Sequence, residues 1–239
     1  FTALATSQVQ EAYASQGLNA SDPNITPSLT SSNNFINFCL TQNTTLTNGK
    51  QNPDGSCSPT PMGRLVAKDK IPSCKFLFPK NGSLLAANTT FTVKLATKNL
   101  DSGHYSNAET NFFAAPQTTN ADGILVGHSH ITIEAVPNYL SEDPLDPAHF
   151  AFFKAMNAAA VDGVLSVDVA NGLPPGVYRL SSITTAINHQ PALISVAQHG
   201  SVEDAVYFRV STSVSFHLYY DATCLPASRL SEAGEFSFS

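Results

Sequence analysis

The chain has 239 residues, 42% of them apolar and only 13% charged, and its formal net charge is −6. Its 12 basic residues form no cluster, which excludes a nucleic-acid surface, since phosphate neutralisation needs a Lys/Arg patch. The same scatter removes the polybasic route to an anionic membrane, and no apolar run approaches the ~18 residues needed to span a bilayer.

Residues 1–83 read as a loop-rich, glycosylated N-terminal segment. Its first 35 residues are rich in Ser, Thr, Asn and Gln, with a short helix predicted over Gln8 to Gln16. Turn signals follow at Asn48-Gly49, Asn52-Pro53-Asp54-Gly55 and Ser58-Pro59-Thr60-Pro61. Five N-x-Ser/Thr sequons stand at Asn19, Asn24, Asn43, Asn81 and Asn88, all before residue 91. N-linked glycans would supply the solubility that a charge-poor surface lacks.

The four cysteines are Cys39, Cys57, Cys74 and Cys224, with no C-x-x-C among them. That spacing disfavours zinc-ribbon and thioredoxin chemistry and favours two disulfides in an oxidising compartment. The expected pairing is Cys39–Cys57 across the turn-rich segment and Cys74–Cys224 from the body to the C-terminal part. No charged-then-apolar leader opens at Phe1, so the chain reads as a mature, secreted, extracellular protein whose leader has been removed.

Residues 84–220 read as a β-sandwich core and 221–239 as a C-terminal tail, within a single domain 1–239. Period-2 alternation marks Phe91 to Leu95, Leu165 to Val169, Tyr178 to Leu180 and Val214 to Leu218. Ala192 to Ala197 and Ala205 to Val210 are short strand-like runs. Gly and Pro punctuate them, above all at Asn171-Gly172-Leu173-Pro174-Pro175-Gly176. Short strands with turns at this spacing predict a mostly β fold, an antiparallel β-sandwich of immunoglobulin-like type. One helix competes, with Asp146 as N-cap and Pro147 at its first position, running to about Ala160. Phe150 to Phe153 reads equally well as a buried strand.

The chemically richest segment is Gly127-His128-Ser129-His130-Ile131-Thr132-Ile133-Glu134. In a strand, side chains alternate between faces, so His128, His130, Thr132 and Glu134 share one and Ser129, Ile131 and Ile133 the other. Imidazoles at i and i+2 sit roughly 6–7 Å apart at their Cα atoms, near enough for both to reach one metal ion. Glu134 is the candidate third ligand or a partner that orients the ligating rings. Such an N,N,O set takes a divalent transition metal, zinc or copper above all. Against this stands a plainer arrangement in which Ile131 and Ile133 fill the core and the His face makes ordinary hydrogen bonds.

The remaining histidines carry less. His189 and His199 flank the Ala192–Ala197 run, and about 33 Å of extended chain between them prevents a shared site unless the segment turns back. His104 is a loop residue within recruiting range, whereas His149 and His217 read as a helix-start and a strand residue. Paired-carboxylate chemistry is not indicated, because Glu142-Asp143 and Glu203-Asp204 are adjacent and point apart. No G-x-S-x-G elbow and no Walker or dinucleotide glycine pattern is present.

The His-x-His spacing with a later Glu resembles the first half of the cupin motif, which implies a jelly roll as the alternative fold. The departures are Gly123, one position off, and Arg179 and Ile183, which stand where the second cupin motif has its His and Asn. Three longer stretches resemble a family of uncharacterised secreted fungal proteins: Asn99 to Gly103 with Asn111 to Pro116, Gly127 to Glu134, and Gly172 to Phe208 with Asn188-His189-Gln190-Pro191 and Gln198-His199-Gly200. That resemblance implies a fungal, extracellular origin and transfers no catalytic residue. The functional expectation is a non-enzymatic extracellular binding or cell-surface protein with a His-based metal site. Its partners are expected to be N-linked glycans and cell-wall or extracellular carbohydrate, with no nucleic acid and no membrane. The alternative is a metal-dependent, cupin-like extracellular enzyme acting on polysaccharide or sugar.

Overall fold

The computed structural model describes residues 4–16 and 28–213. The sequons at Asn19 and Asn24, the strand expected over Val214 to Leu218, and Cys224 lie outside these residues. Nine strands appear in chain order among the described residues: β1 (Ser73–Phe78), β2 (Leu84–Ala86), β3 (Phe91–Lys98), β4 (Leu100–Asp101), β5 (Leu125–Val136), β6 (Phe152–Met156), β7 (Val164–Val169), β8 (Gly176–Ala186) and β9 (Ala205–Ser211). They form a three-stranded sheet, β1-β3-β7, and a six-stranded sheet, β2-β9-β8-β5-β4 with β6 on β5. Pairing is antiparallel except where the short β2 and β4 join in parallel. The result is the expected mostly β, sandwich-like arrangement, and it begins at Ser73 rather than at residue 84.

The alternating strands place one face of each sheet in a shared core. Phe76, Val93, Leu95, Leu165 and Val169 from the small sheet cluster with Ile131, Ile133, Leu180, Val206 and Phe208 from the large one, all nearly or fully buried. Phe208 is the hinge pin of this layer, edge-on to Phe91 at 6.1 Å and stacked on Tyr178 at 5.7 Å. Such ring pairs contribute about 0.5–1.5 kcal/mol beyond their area.

Three predicted elements take other forms. No α-helix occurs at 146–160: Asp146 accepts the Ala148 N–H at 3.0 Å but caps a single turn. Phe152–Met156 instead pairs along the edge of β5, where tertiary pairing outweighs a weak local helix signal. The Ala192–Ala197 run forms only an isolated bridge, Ile194 to Val66. There the buried Gln117 side chain takes over the ladder, accepting from Leu193 N–H at 2.9 Å and donating to the carbonyls of Leu193 and Arg64. Gln8 to Gln16 is two 3-10 turns, Thr6–Gln8 and Glu11–Ala14.

The N-terminal third is stapled as expected. Cys39 and Cys57 are disulfide-bonded with their Cα atoms 5.7 Å apart. Thr47 donates its N–H to the Cys57 carbonyl, and Cys57 donates to Thr45. The stapled segment then lies against residues 110–112, with Gly49 bridging Phe112. Gly49 has φ +89°, and a Cβ there would stand 2.1 Å from the Thr110 carbonyl oxygen, so only glycine permits this approach. Cys74 is half-buried on β1 and forms no disulfide among the described residues. Its sulfur lies 3.2 Å from Ser182 Oγ and 3.3 Å from the Val202 carbonyl oxygen, and burial pushes the thiol pKa up.

Candidate metal centre

β5 carries His128 and His130 on the outer face of the six-stranded sheet, as the alternation predicts, while Ile131 and Ile133 are fully buried on the inner face. β8 runs beside it with Thr185 opposite His128 and Ile183 opposite His130. The two strands close tightly at this point, since a Cβ on Gly127 would stand 1.9 Å from the Thr185 carbonyl oxygen. Glycine therefore precedes the first histidine for a packing reason.

After β8 the chain reverses at once. His189 donates its backbone N–H to the Ala186 carbonyl at 3.0 Å, and Ala186 donates to Gln190 at 2.9 Å. The turn puts His189 in the left-handed region, φ +73°, a conformation that is uncommon outside glycine and costs energy unless its surroundings hold it. Asn188 holds it here, donating its side-chain amide to the Asn111 carbonyl at 2.7 Å while its own carbonyl accepts the Phe113 N–H. The reversal returns the His189 ring onto β5, where it joins the other two imidazoles.

Three ring nitrogens converge. His128 Nε2 is 3.0 Å from His130 Nε2 and 3.2 Å from His189 Nδ1, and one nitrogen from each of the three rings lies within 4.8 Å of the others. Donors 2.0–2.1 Å from a tetrahedral zinc ion stand roughly 3.3 Å apart, close to the two shorter separations. Backbone carbonyls fix two of the tautomers. His128 Nδ1 faces the His104 carbonyl at 3.2 Å and His189 Nε2 faces the Ser106 carbonyl at 2.9 Å, so each of these nitrogens carries the proton and donates. The opposite nitrogens, His128 Nε2 and His189 Nδ1, must then present lone pairs toward the same point. An outer carbonyl accepting from the far ring nitrogen is the usual support of a metal-binding imidazole.

His128 and His130 are also kept neutral. His128 is fully buried. Burial, followed by repulsion from His130 and His189, lowers its pKa from 6.5 to about 4. His130 is held down to about 4 by burial and by His189. Neutral imidazole is the form that ligates a metal. Each ring has an aromatic neighbour: Tyr105 edge-on to His128 at 6.0 Å, Phe153 against His130 at 5.3 Å and Phe112 stacked on His189 at 5.9 Å. His130 and His189 form part of the wall of a cleft of about 700 Å³.

Glu134, the carboxylate expected as third ligand, is elsewhere. It is 5% exposed and is bound by Arg179, whose Nη2 and Nε lie 2.7 and 2.9 Å from Glu134 Oε2. Its strand position is about 13 Å from His130 along β5, so sharing a face does not mean sharing a site. His189 supplies the third nitrogen. Among the other histidines, His104 pairs with Asp101 at 3.4 Å and gives the cluster only its carbonyl. His149 pairs with Asp146 at 2.8 Å, and exposed His199 contacts the Gly200 carbonyl at 2.6 Å.

Residues 74–211, the whole sandwich with all three histidines, match the family described as the CLU5d N-terminal domain. The chain belongs to the CLU5d N-terminal domain family. It is also similar to Pathogenicity cluster 5 protein d of Colletotrichum graminicola, 41% identical over 179 residues, which is 74% of this chain and 37% of the relative. The chain thus spans little more than a third of the length of that curated relative. This CLU5d-type sandwich is accordingly of a fungal family. No helix among the described residues is long and apolar enough to cross a membrane.

Proposed function

We propose that this protein is a secreted fungal glycoprotein in which His128, His130 and His189 hold one divalent transition ion, zinc or copper, beside a ligand-binding cleft. One observation carries the reading. The His104 and Ser106 carbonyls fix two imidazole tautomers so that His128 Nε2 and His189 Nδ1, 3.2 Å apart, aim lone pairs at each other. A cation between them turns that repulsion into bonding. Three protein ligands leave a fourth position for water or an incoming molecule, the pattern of reactive rather than structural zinc sites.

Calorimetric titration of zinc and copper at pH 7.5 tests this on protein purified without chelator or affinity tag. One ion per chain is expected, with affinity falling at least 100-fold in His130→Ala and in His189→Ala. Equal binding by wild type and both variants would refute the centre. The compartment rests on the Cys39–Cys57 disulfide and on exposed sequon asparagines at Asn43, Asn81 and Asn88. The likeness to a protein named for a pathogenicity cluster fits a role outside the fungal cell. Glycopeptide mapping from a eukaryotic secreting host should find the glycans in peptides before Phe91. A uniform mass at the bare 25.4 kDa would count against the glycoprotein reading.

A further inference from the structure

The cleft beside the three histidines has a chemistry of its own. Its volume of about 700 Å³ falls within the range that encloses a small organic molecule. Its wall is more apolar than polar, and the rings of Tyr105, Phe112 and Phe153 line it together with Ile183. Three of these are left in water: Tyr105 is 51% exposed, Phe153 45% and Ile183 37%. Ile183 and His130 are directly opposite across the β5–β8 ladder, and Phe153 lies on the other side of β5 on β6, so the apolar wall stands next to the metal-facing ring.

Polar side chains also reach the cleft, Gln51, Ser106, Asn107 and Thr185 among them, but few are charged. Among the described residues no Lys or Arg lines the cleft, and Glu109 is its one carboxylate. An anionic group entering here would therefore find no basic side chain, and the metal would be its counter-charge. The exposed wall is nonetheless mostly apolar and aromatic by area, which suits a flat ring.

From these features we infer that the cleft receives a small aromatic molecule bearing a metal-binding oxygen anion, the class of aryl hydroxamates, hydroxybenzoates and catechols. The inference rests on the metal reading above. The ring lies against Phe153 and Ile183, and the oxygen takes the open coordination position.

Cobalt(II) loaded into the site gives visible d–d bands that report each event separately. The probes are benzohydroxamate and acetohydroxamate, which share the metal-binding group and differ in the ring. Burying about 60 Å² more apolar surface at roughly 25 cal/mol/Å² corresponds to about a tenfold preference for the aryl probe. That preference should shrink to within about threefold in the Phe153→Ala/Ile183→Ala variant, which should still bind one cobalt ion per chain. Cobalt bands that appear normally but respond equally to both probes, or to neither, would overturn the ligand class and leave the metal centre standing. A wild-type chain that shows no cobalt bands at all would remove the metal centre and this inference with it.

Discussion

The buried imidazoles make acid stability a direct test of the cluster. In metal-free protein, His128 and His130 have folded pKa values of about 4, well below the ordinary 6.5. The unfolded chain takes up a proton at each below pH 6.5, while the folded chain refuses it until about pH 4. Unfolding is therefore favoured as pH falls through that window, with no contribution above it and no further loss below it. Lowering one imidazole pKa this far corresponds to roughly 3 kcal/mol. Burial is the larger cause of each depression, and partial solvent access with coupling between neighbouring rings discounts the pair to about 3 kcal/mol rather than twice that. The assay is urea unfolding of chelator-treated protein at pH 7.5 and pH 4.5, on wild type and on His128→Gln/His130→Gln. Carboxylates titrate alike in both proteins, so the difference isolates the imidazoles, and wild type should lose about 2–3 kcal/mol more. Equal losses would show that the two histidines titrate freely and that the cluster is not closed as described.

Three further outcomes follow from the same geometry. Ile131→Ala, at a fully buried position, should cost about 2–5 kcal/mol in denaturant unfolding. A cost below about 1 kcal/mol would mean that β5 does not face the core in this register. Glu134→Ala should lower stability by about 1–3 kcal/mol by unpairing Arg179 and leave metal affinity within twofold, whereas a large loss of affinity in calorimetry would restore Glu134 as a ligand. Under non-reducing denaturation no thiol should react with an alkylating reagent, because Cys74 is expected to pair with Cys224. A single alkylated cysteine at Cys74 would refute that pairing.

Strand periodicity made half of the site legible. His128 and His130 on one face with Ile131 and Ile133 on the other need only the two-residue repeat of a strand, and the structure keeps that division. The same repeat misplaced Glu134, because it reports a shared face and says nothing about distance along it. The partner that Glu134 does find is set by cross-strand register, which brings Arg179 opposite. His189 was hidden for a related reason. Its distance from His128 along the chain carries no information once β8 pairs with β5 and Thr185 comes opposite His128. The one local signal was Asn188-His189-Gln190-Pro191, a turn-forming run set just after a strand, where the chain can reverse and aim a side chain backward.

Tertiary pairing likewise explains the missing helix. The segment from Asp146 had a cap and a permissive first residue, but β5 offered a free edge, and Phe152 and Met156 reach the core only from a paired strand. The turn-rich N-terminal segment, in contrast, has a consequence that local pattern could not suggest. It lies mainly outside residues 74–211, yet its Cys39–Cys57 staple sets the segment whose Gly49 bridges Phe112. Phe112 stacks on His189, and Gln51 reaches the cleft wall from the same segment. A disulfide near the chain start thus bears on the third metal-facing nitrogen through one aromatic ring, and the sandwich and its N-terminal strap form the cleft together.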